Sequence, residues 1–356
     1  MSNEFESLPG AVGSPPQHYG APLAEQKSLA AGEAVVDLSH RAVVALSGPD
    51  RLTWLDSLTS QSLAGLRPGE SAETLQLDPN GHVEFAVRLV DDGETAWLLV
   101  DAEEAAPLIA WLERMRFMLR VEIADRTSDF ATIGTLGTPA LAAAAPAGIP
   151  LVWRDPWTSV VQGGHQYATD AAHPAAAWTY SEILIERDRL RDAAALPHAG
   201  LLALDALRIA AWRPRFASEV DERSIPHELD WLRSAVHLSK GCYRGQETVA
   251  KVHNLGHPPR RLVMLHLDGS DGVLPAAGDA VSTDEKDAGR ITSAALHYEL
   301  GPIALAVVKR SVDPAAALHV VSDGIRIAAA QQVIVPTDAG AEANVPRLPR
   351  LGAVKR

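Results

Sequence analysis

A chain of 356 residues, 47% hydrophobic and 22% charged, has the make-up of a folded globular protein of two or three domains. Its net charge of −13 argues against bulk binding to a nucleic-acid backbone, and no apolar run reaches the roughly 18 residues that a membrane helix needs. One cysteine excludes an internal disulfide and suits a reducing compartment, and the acidic start Met1–Glu6 lacks a secretory leader, so a cytoplasmic monomer is expected.

Residues 1–24 hold Pro9, Gly10, Gly13, Pro15, Pro16, Gly20 and Pro22 with no apolar period, and residues 336–356 read likewise. Both are expected to be disordered tails, because such segments bury too little surface to offset the entropy of ordering. Ala42–Leu46 reads as a strand, and Gly48-Pro49-Asp50 turns into a helix running to Thr59. Gln76-Leu77, turned by Asp78-Pro79-Asn80-Gly81, leads into Val83–Val90, where Val83, Phe85, Val87 and Leu89 alternate onto one face. Asp91-Asp92-Gly93 turns that strand into Thr95–Val100. Asp101 with Glu104 forms a capping box for a helix through Met115. Strands follow at Arg120–Ala124 and Phe130–Leu136, and a short helix opens at Ala140 until Pro146 and Gly148 stop it. Tyr180–Glu186 is a further strand, and helices cross Asp188–Ala195 and Leu201–Trp212. Hairpins and helices in this order predict an α+β protein with helices on one face of antiparallel sheets.

From Arg260 the texture changes to six short strands separated by Gly, Pro and Asp turns, which predicts a small β-barrel. The boundary falls at His257-Pro258-Pro259. Residues 25–257 then form a body of two subdomains, and residues 258–335 the barrel.

The only cysteine lies in Lys240-Gly241-Cys242-Tyr243-Arg244-Gly245-Gln246-Glu247. Flanking cations favour a thiolate, and the two glycines permit a hinge-like turn. Against this stands the ordinary behaviour of free cysteine as a small buried hydrophobe. Lys240, Arg244, Lys251, Arg260 and Arg261 are either a basic rim facing a polyanion or a solvated loop. His237, His253, His257 and His266 lie near by but show no metal-ligand spacing, so no metal site is expected. The helix 201–212 is apolar nearly all round and carries Arg208, which must pair with Asp205 or meet an anionic ligand. Glu182 shares a strand face with Leu184, opposite Ile183 and Ile185.

Lys-Gly-Cys-Tyr-x-Gly-Gln-Glu resembles the hallmark of the YgfZ family, folate-binding proteins related to the T-protein (aminomethyltransferase) of the glycine cleavage system. Gly200–Ile209, Pro226-His227-Glu228-Leu229 and Leu46–Leu55 extend the resemblance over residues 35–335. It implies a GcvT-like, three-part arrangement, in which two sheet–helix subdomains and the barrel enclose a central cavity for tetrahydrofolate. Arg208 and Glu182 are then folate ligands, Glu182 by a carboxylate on the pterin's amino-pyrimidine edge, with Gly241, Tyr243 and Gln246 contributing to folate binding. Cys242 and Lys240 become the working pair of an iron–sulfur assembly or repair factor, with iron–sulfur client or assembly proteins as partners and a link to tRNA modification. The T-protein's aspartate pair falls on Glu84-Phe85, so aminomethyl transfer is expected to be lost. A tetrahydrofolate-dependent aminomethyltransferase and a non-catalytic interaction protein are the alternatives.

Overall fold

Apolar alternation builds the first sheet. In the computed structural model, which describes residues 3–284 and 286–343, a 3₁₀ turn at Glu4–Ser7 and helix α1 (Pro22–Ala30) come first. Strands β1 (Val35–Asp37) and β2 (Ala42–Ser47) and helix α2 (Arg51–Leu58) follow. Next come β3 (Ser71–Leu77), β4 (Val83–Asp91), β5 (Thr95–Val100), helix α3 (Ala102–Arg116) and β6 (Glu122–Asp125). The five-stranded sheet β3-β4-β5-β2-β6 is antiparallel throughout. One face carries Val44, Leu46, Val87, Leu89 and Leu98 against Trp54 and Leu55 of α2 and Leu108 and Trp111 of α3. The other face turns Val43, Leu75, Trp97 and Leu99 into the central core. Helix α3 starts where expected, with Glu104 Oε2 accepting the Asp101 N–H at 2.9 Å.

The second sheet has the order β10-β1-β7-β9-β8, from β7 (Phe130–Thr135), β8 (Val152–Arg154), β9 (Ser181–Glu186) and β10 (His198–Ala199). The β1–β10 pair is parallel and the others antiparallel. The expected helix from Ala140 does not form. Its backbone instead serves the sheet, with the Ala144 N–H donating to Leu184 O at 2.8 Å. Helices α4 (Leu190–Ala194), α5 (Leu201–Ala210), α6 (Phe216–Glu219), α7 (Leu232–Ala235) and α8 (Gln246–Leu255) lead to the barrel. That barrel closes in the order β11-β14-β13-β12-β15-β16, from β11 (Arg260–Leu267), β12 (Ala280–Ser282), β13 (Asp287–His297), β14 (Gly301–Lys309), β15 (Leu318–Ser322) and β16 (Ile325–Val333). On β11, Val263 and Leu265 fill the barrel, while Leu262 and Met264 pack into the central core beside α5.

The N-terminal segment is not a tail. Phe5 is fully buried between the second sheet and α4. The carbonyls of Pro16 and Gln17 accept the Leu201 and Leu202 N–H groups at 3.1 and 3.0 Å, so this segment satisfies the open N-terminal donors of α5. At the other end, Val335 and Ala339 are buried, and the N–H groups of residues 341–343 donate to carbonyls of the last turn of α8. The rest of the expected C-terminal tail, from residue 344 on, lies outside the described residues.

Candidate functional site

The two sheets, α5 and the segment after it enclose a central cavity of about 580 Å³ of space free of protein atoms, including the part open to solvent. Five arginines, five carboxylates and five aromatic rings are among its walls. Charges so deep persist only when paired, and most of these are.

Glu182 on β9 is fully buried. Its Oε1 accepts from Arg41 Nη1 at 2.5 Å, Arg88 Nη1 at 2.8 Å and the Tyr180 hydroxyl at 2.9 Å. Its Oε2 has no hydrogen-bond partner among the described residues, although the side chain lines the cavity. A buried carboxylate oxygen without a donor is costly unless something else supplies one. Beside it stand Trp178 and Tyr180, stacked with centroids 5.0 Å apart, and Trp153, edge-on to Tyr180 at 6.3 Å. Flat walls and a free acceptor suit a planar ligand that carries N–H donors.

Asp101 braces the two arginines of this group, with Oδ1 3.3 Å from Arg41 Nε and 3.5 Å from Arg88 Nη2. Burial works to raise the Asp101 carboxyl, but Arg41, Arg88 and Arg215 together hold it below its ordinary range. Arg213, also on the cavity wall, bridges Asp155 at 2.9 Å and Glu73 at 2.6 Å, and Asp155 also accepts from Trp178 Nε1. Arg41, Arg88 and Arg213 were not singled out from sequence. The available signal was an arginine inside the apolar run Val83–Val90, and arginines flanking a proline directly after a buried helix.

Arg208 lines the cavity, but its donors are largely occupied by the protein. Nε donates to Asp205 at 2.7 Å, Nη1 reaches Glu219 at 3.2 Å, and Nη2 donates to Ser293 on β13 at 2.7 Å. The Asp205 pair, one of the two readings open from sequence, is therefore present. Arg208 acts chiefly as a clamp between α5, α6 and the barrel.

The octapeptide lies elsewhere: none of its residues is among the cavity walls, so the expected folate contacts of Gly241, Tyr243 and Gln246 are not brought together with Glu182. Cys242 is exposed on the loop before α8. Lys240 points inward. Its Nζ donates to the carbonyls of Asp56, Thr59 and Gln61 at 2.5, 2.9 and 2.6 Å, which closes the C-terminal end of α2. With three protons on three carbonyls it has none left for chemistry at the thiol. Burial lowers the Lys240 pKa, opposed by Asp56 at 3.5 Å. Tyr243 packs into the central core, and Gln246 reaches back to Lys240 O at 3.5 Å. Gly245, at φ +83°, begins α8 against the β3–β4 turn, where a Cβ would meet Asp78 O at 2.7 Å. Two of the five residues of the basic strip are taken up by the protein as well. Arg260 pairs with Asp221 and Glu228, and Arg261 is buried with its Nη2 on Gln331 and Val312 O.

Glu84 sits at a β-bulge: Leu77 pairs with Val83 and Gln76 with Phe85, so Glu84 is the extra residue. The bulge turns Val83 to the central core while Phe85 packs toward α3, which separates two residues expected on one face. Glu84 accepts from Gln76 Nε2 at 2.7 Å and does not line the cavity. Ala86 and Arg88 are the residues that β4 presents there. Among the described residues no group of three or more His, Cys, Asp and Glu is placed to hold a metal ion, and no helix is long and apolar enough to cross a membrane.

Residues 260–336 match the glycine cleavage T-protein C-terminal barrel domain. The chain is 26% identical over 312 residues to an aminomethyltransferase of Herpetosiphon aurantiacus, covering 83% of each chain. It is 28% identical over 321 residues to an aminomethyltransferase of Geobacillus kaustophilus, covering 83% of this chain and 85% of that one. Among solved structures, the glycine cleavage system aminomethyltransferase T of Bartonella henselae superposes with a TM-score of 0.69, over 90% of this chain and 91% of that one, at 18% identity. The chain therefore has the GcvT-like fold, with the T-protein's closed barrel at its C-terminal end and aminomethyltransferases as its homologues.

Proposed function

We propose that the chain binds a reduced folate in the central cavity and works as a tetrahydrofolate-dependent protein of the aminomethyltransferase type. The observation that carries this reading is the unpartnered Oε2 of fully buried Glu182 between aromatic walls. Glu182 would accept N–H groups from the edge of a flat heterocycle, while Arg41, Arg88 and Tyr180 fix the carboxylate's orientation through Oε1. Trp153, Trp178 and Tyr180 would flank the ring and exclude water. Tetrahydrofolate, when bound, supplies a ring nitrogen that accepts or releases a one-carbon unit. The named homologues favour aminomethyl transfer over an iron–sulfur role, against the expected loss of that transfer, which rests on the Glu84-Phe85 replacement alone. An assay with an aminomethyl-loaded lipoylated carrier and tetrahydrofolate tests the activity. Turnover that Glu182→Gln abolishes supports it, and no turnover in a protein that binds the folate would reject it.

A second reading rests on the exposure of Cys242 on a loop anchored by buried Lys240. In it the folate-loaded protein assists assembly or repair of iron–sulfur proteins, as the YgfZ-like octapeptide suggests. Failure of Cys242→Ala to restore iron–sulfur enzyme activity in cells lacking the protein would support this reading, and full restoration would remove the thiol from it.

A further inference from the structure

A second carboxyl looks into the cavity from the first turn of α3. Glu104 lines it, with Oε2 accepting the Asp101 N–H at 2.9 Å and Oε1 buried without a partner among the described residues. Its setting differs from that of Glu182. The guanidiniums of Arg41 on the loop before β2 and Arg88 on β4 are directed to Glu182 and Asp101, and Glu104 makes an ion pair with neither. The same cavity thus holds two carboxylates clamped by Arg41 and Arg88, Glu182 and Asp101, and one carboxyl, Glu104, with no cation of its own.

We propose that Glu104 is the cavity's proton-carrying group, donating a hydrogen bond from its neutral carboxyl to an acceptor nitrogen or carbonyl of the bound heterocycle. A neutral acid has an O–H to give, whereas a carboxylate only accepts. This rests on the folate reading above and adds to it a donor that complements the acceptor Glu182. Pairs of acids with opposed environments are how one site holds both an acceptor and a donor at neutral pH.

The charged surroundings agree. Burial pushes the Glu104 carboxyl up to about 7, the Asp101 N–H bond opposes this, the Asp101 charge adds to it, and Arg88 and Arg41 pull it down. His40 and Arg215 face Asp101 from neighbouring segments, and His40 is itself lowered, first by burial and then by Arg41. Raising the pH through 7 therefore removes the Glu104 proton and puts a second negative charge beside Asp101.

Calorimetry with 5-formyltetrahydrofolate at pH 6 to 9 tests this on the wild type, Glu104→Gln and Glu182→Gln. Glutamine keeps an oxygen for the Asp101 N–H and has an N–H to donate at every pH. The wild-type affinity should be flat below about pH 7 and fall about tenfold per pH unit above it, as for loss of one required proton. Glu104→Gln should bind with little pH dependence, and a merely structural glutamate would leave the profile unmoved. Wild-type binding with the same pH profile in Glu104→Gln overturns the role of Glu104 and leaves the folate reading standing. No wild-type binding at any pH overturns both.

Discussion

At the scale of single residues, burial decides what each charged group can do. Lys240 is two residues from Cys242 in sequence, yet its ammonium is turned onto Asp56, Thr59 and Gln61 carbonyls and its side chain is 3% exposed. Its role is to close α2 and fix the loop. Lys240→Met is therefore expected to lose about 2–3 kcal/mol of stability in urea unfolding, since hydrogen bonds to a charged group vanish and carbonyls are left unpaired. Cys242→Ala, at an exposed position, should stay within about 0.5 kcal/mol of wild type. Equal losses in both variants would contradict this division. The sequence could place a lysine beside a thiol but not the direction of its side chain, which depends on a helix end some 180 residues earlier. Glu182 was legible through family resemblance alone, and its clamps Arg41 and Arg88 were not, because 141 and 94 residues of chain separate them from it.

At the scale of elements, periodicity revealed the hairpin Val83–Val100, the capped α3 and all six barrel strands, each of which is amphipathic or apolar over its own length. It failed where an element is completed by distant partners. Residues 3–24 look like a tail because their apolar content is slight, but they satisfy the first turn of α5 and bury Phe5. It failed also at Glu84, where one inserted residue shifts the facing of Val83. The octapeptide's structural weight falls on Gly245. Its φ of +83° and the 2.7 Å approach to Asp78 O leave no room for a side chain. Gly245→Ala should cost about 1–3 kcal/mol and loosen α8 from the β3–β4 turn, read as faster hydrogen exchange in both segments. Unchanged exchange there would mean that the close approach carries no strain.

At the scale of the whole molecule, the two sheets and the barrel share one central core, and the cavity lies where the sheets and α5 meet. Arg208 ties α5 and α6 to β13 through Asp205, Glu219 and Ser293. Removing one partner of a buried ion network typically costs about 3–5 kcal/mol. Arg208→Ala should accordingly lower thermal stability, while Arg208→Lys, which keeps the charge but loses the forked geometry, should recover only part of it. A stable Arg208→Ala variant with lost folate affinity would return this arginine to the role of ligand. In the proposed function Glu182, through its free Oε2, holds a folate heterocycle in this cavity. Titration of 5-formyltetrahydrofolate at pH 6.5, followed by quenching of tryptophan fluorescence from Trp153 and Trp178, tests it most directly. Saturable quenching is expected in the wild type, with an affinity loss of about tenfold to a hundredfold in a folded Glu182→Gln variant, the range for one charge-assisted hydrogen bond. Equal affinity in the two proteins would contradict it.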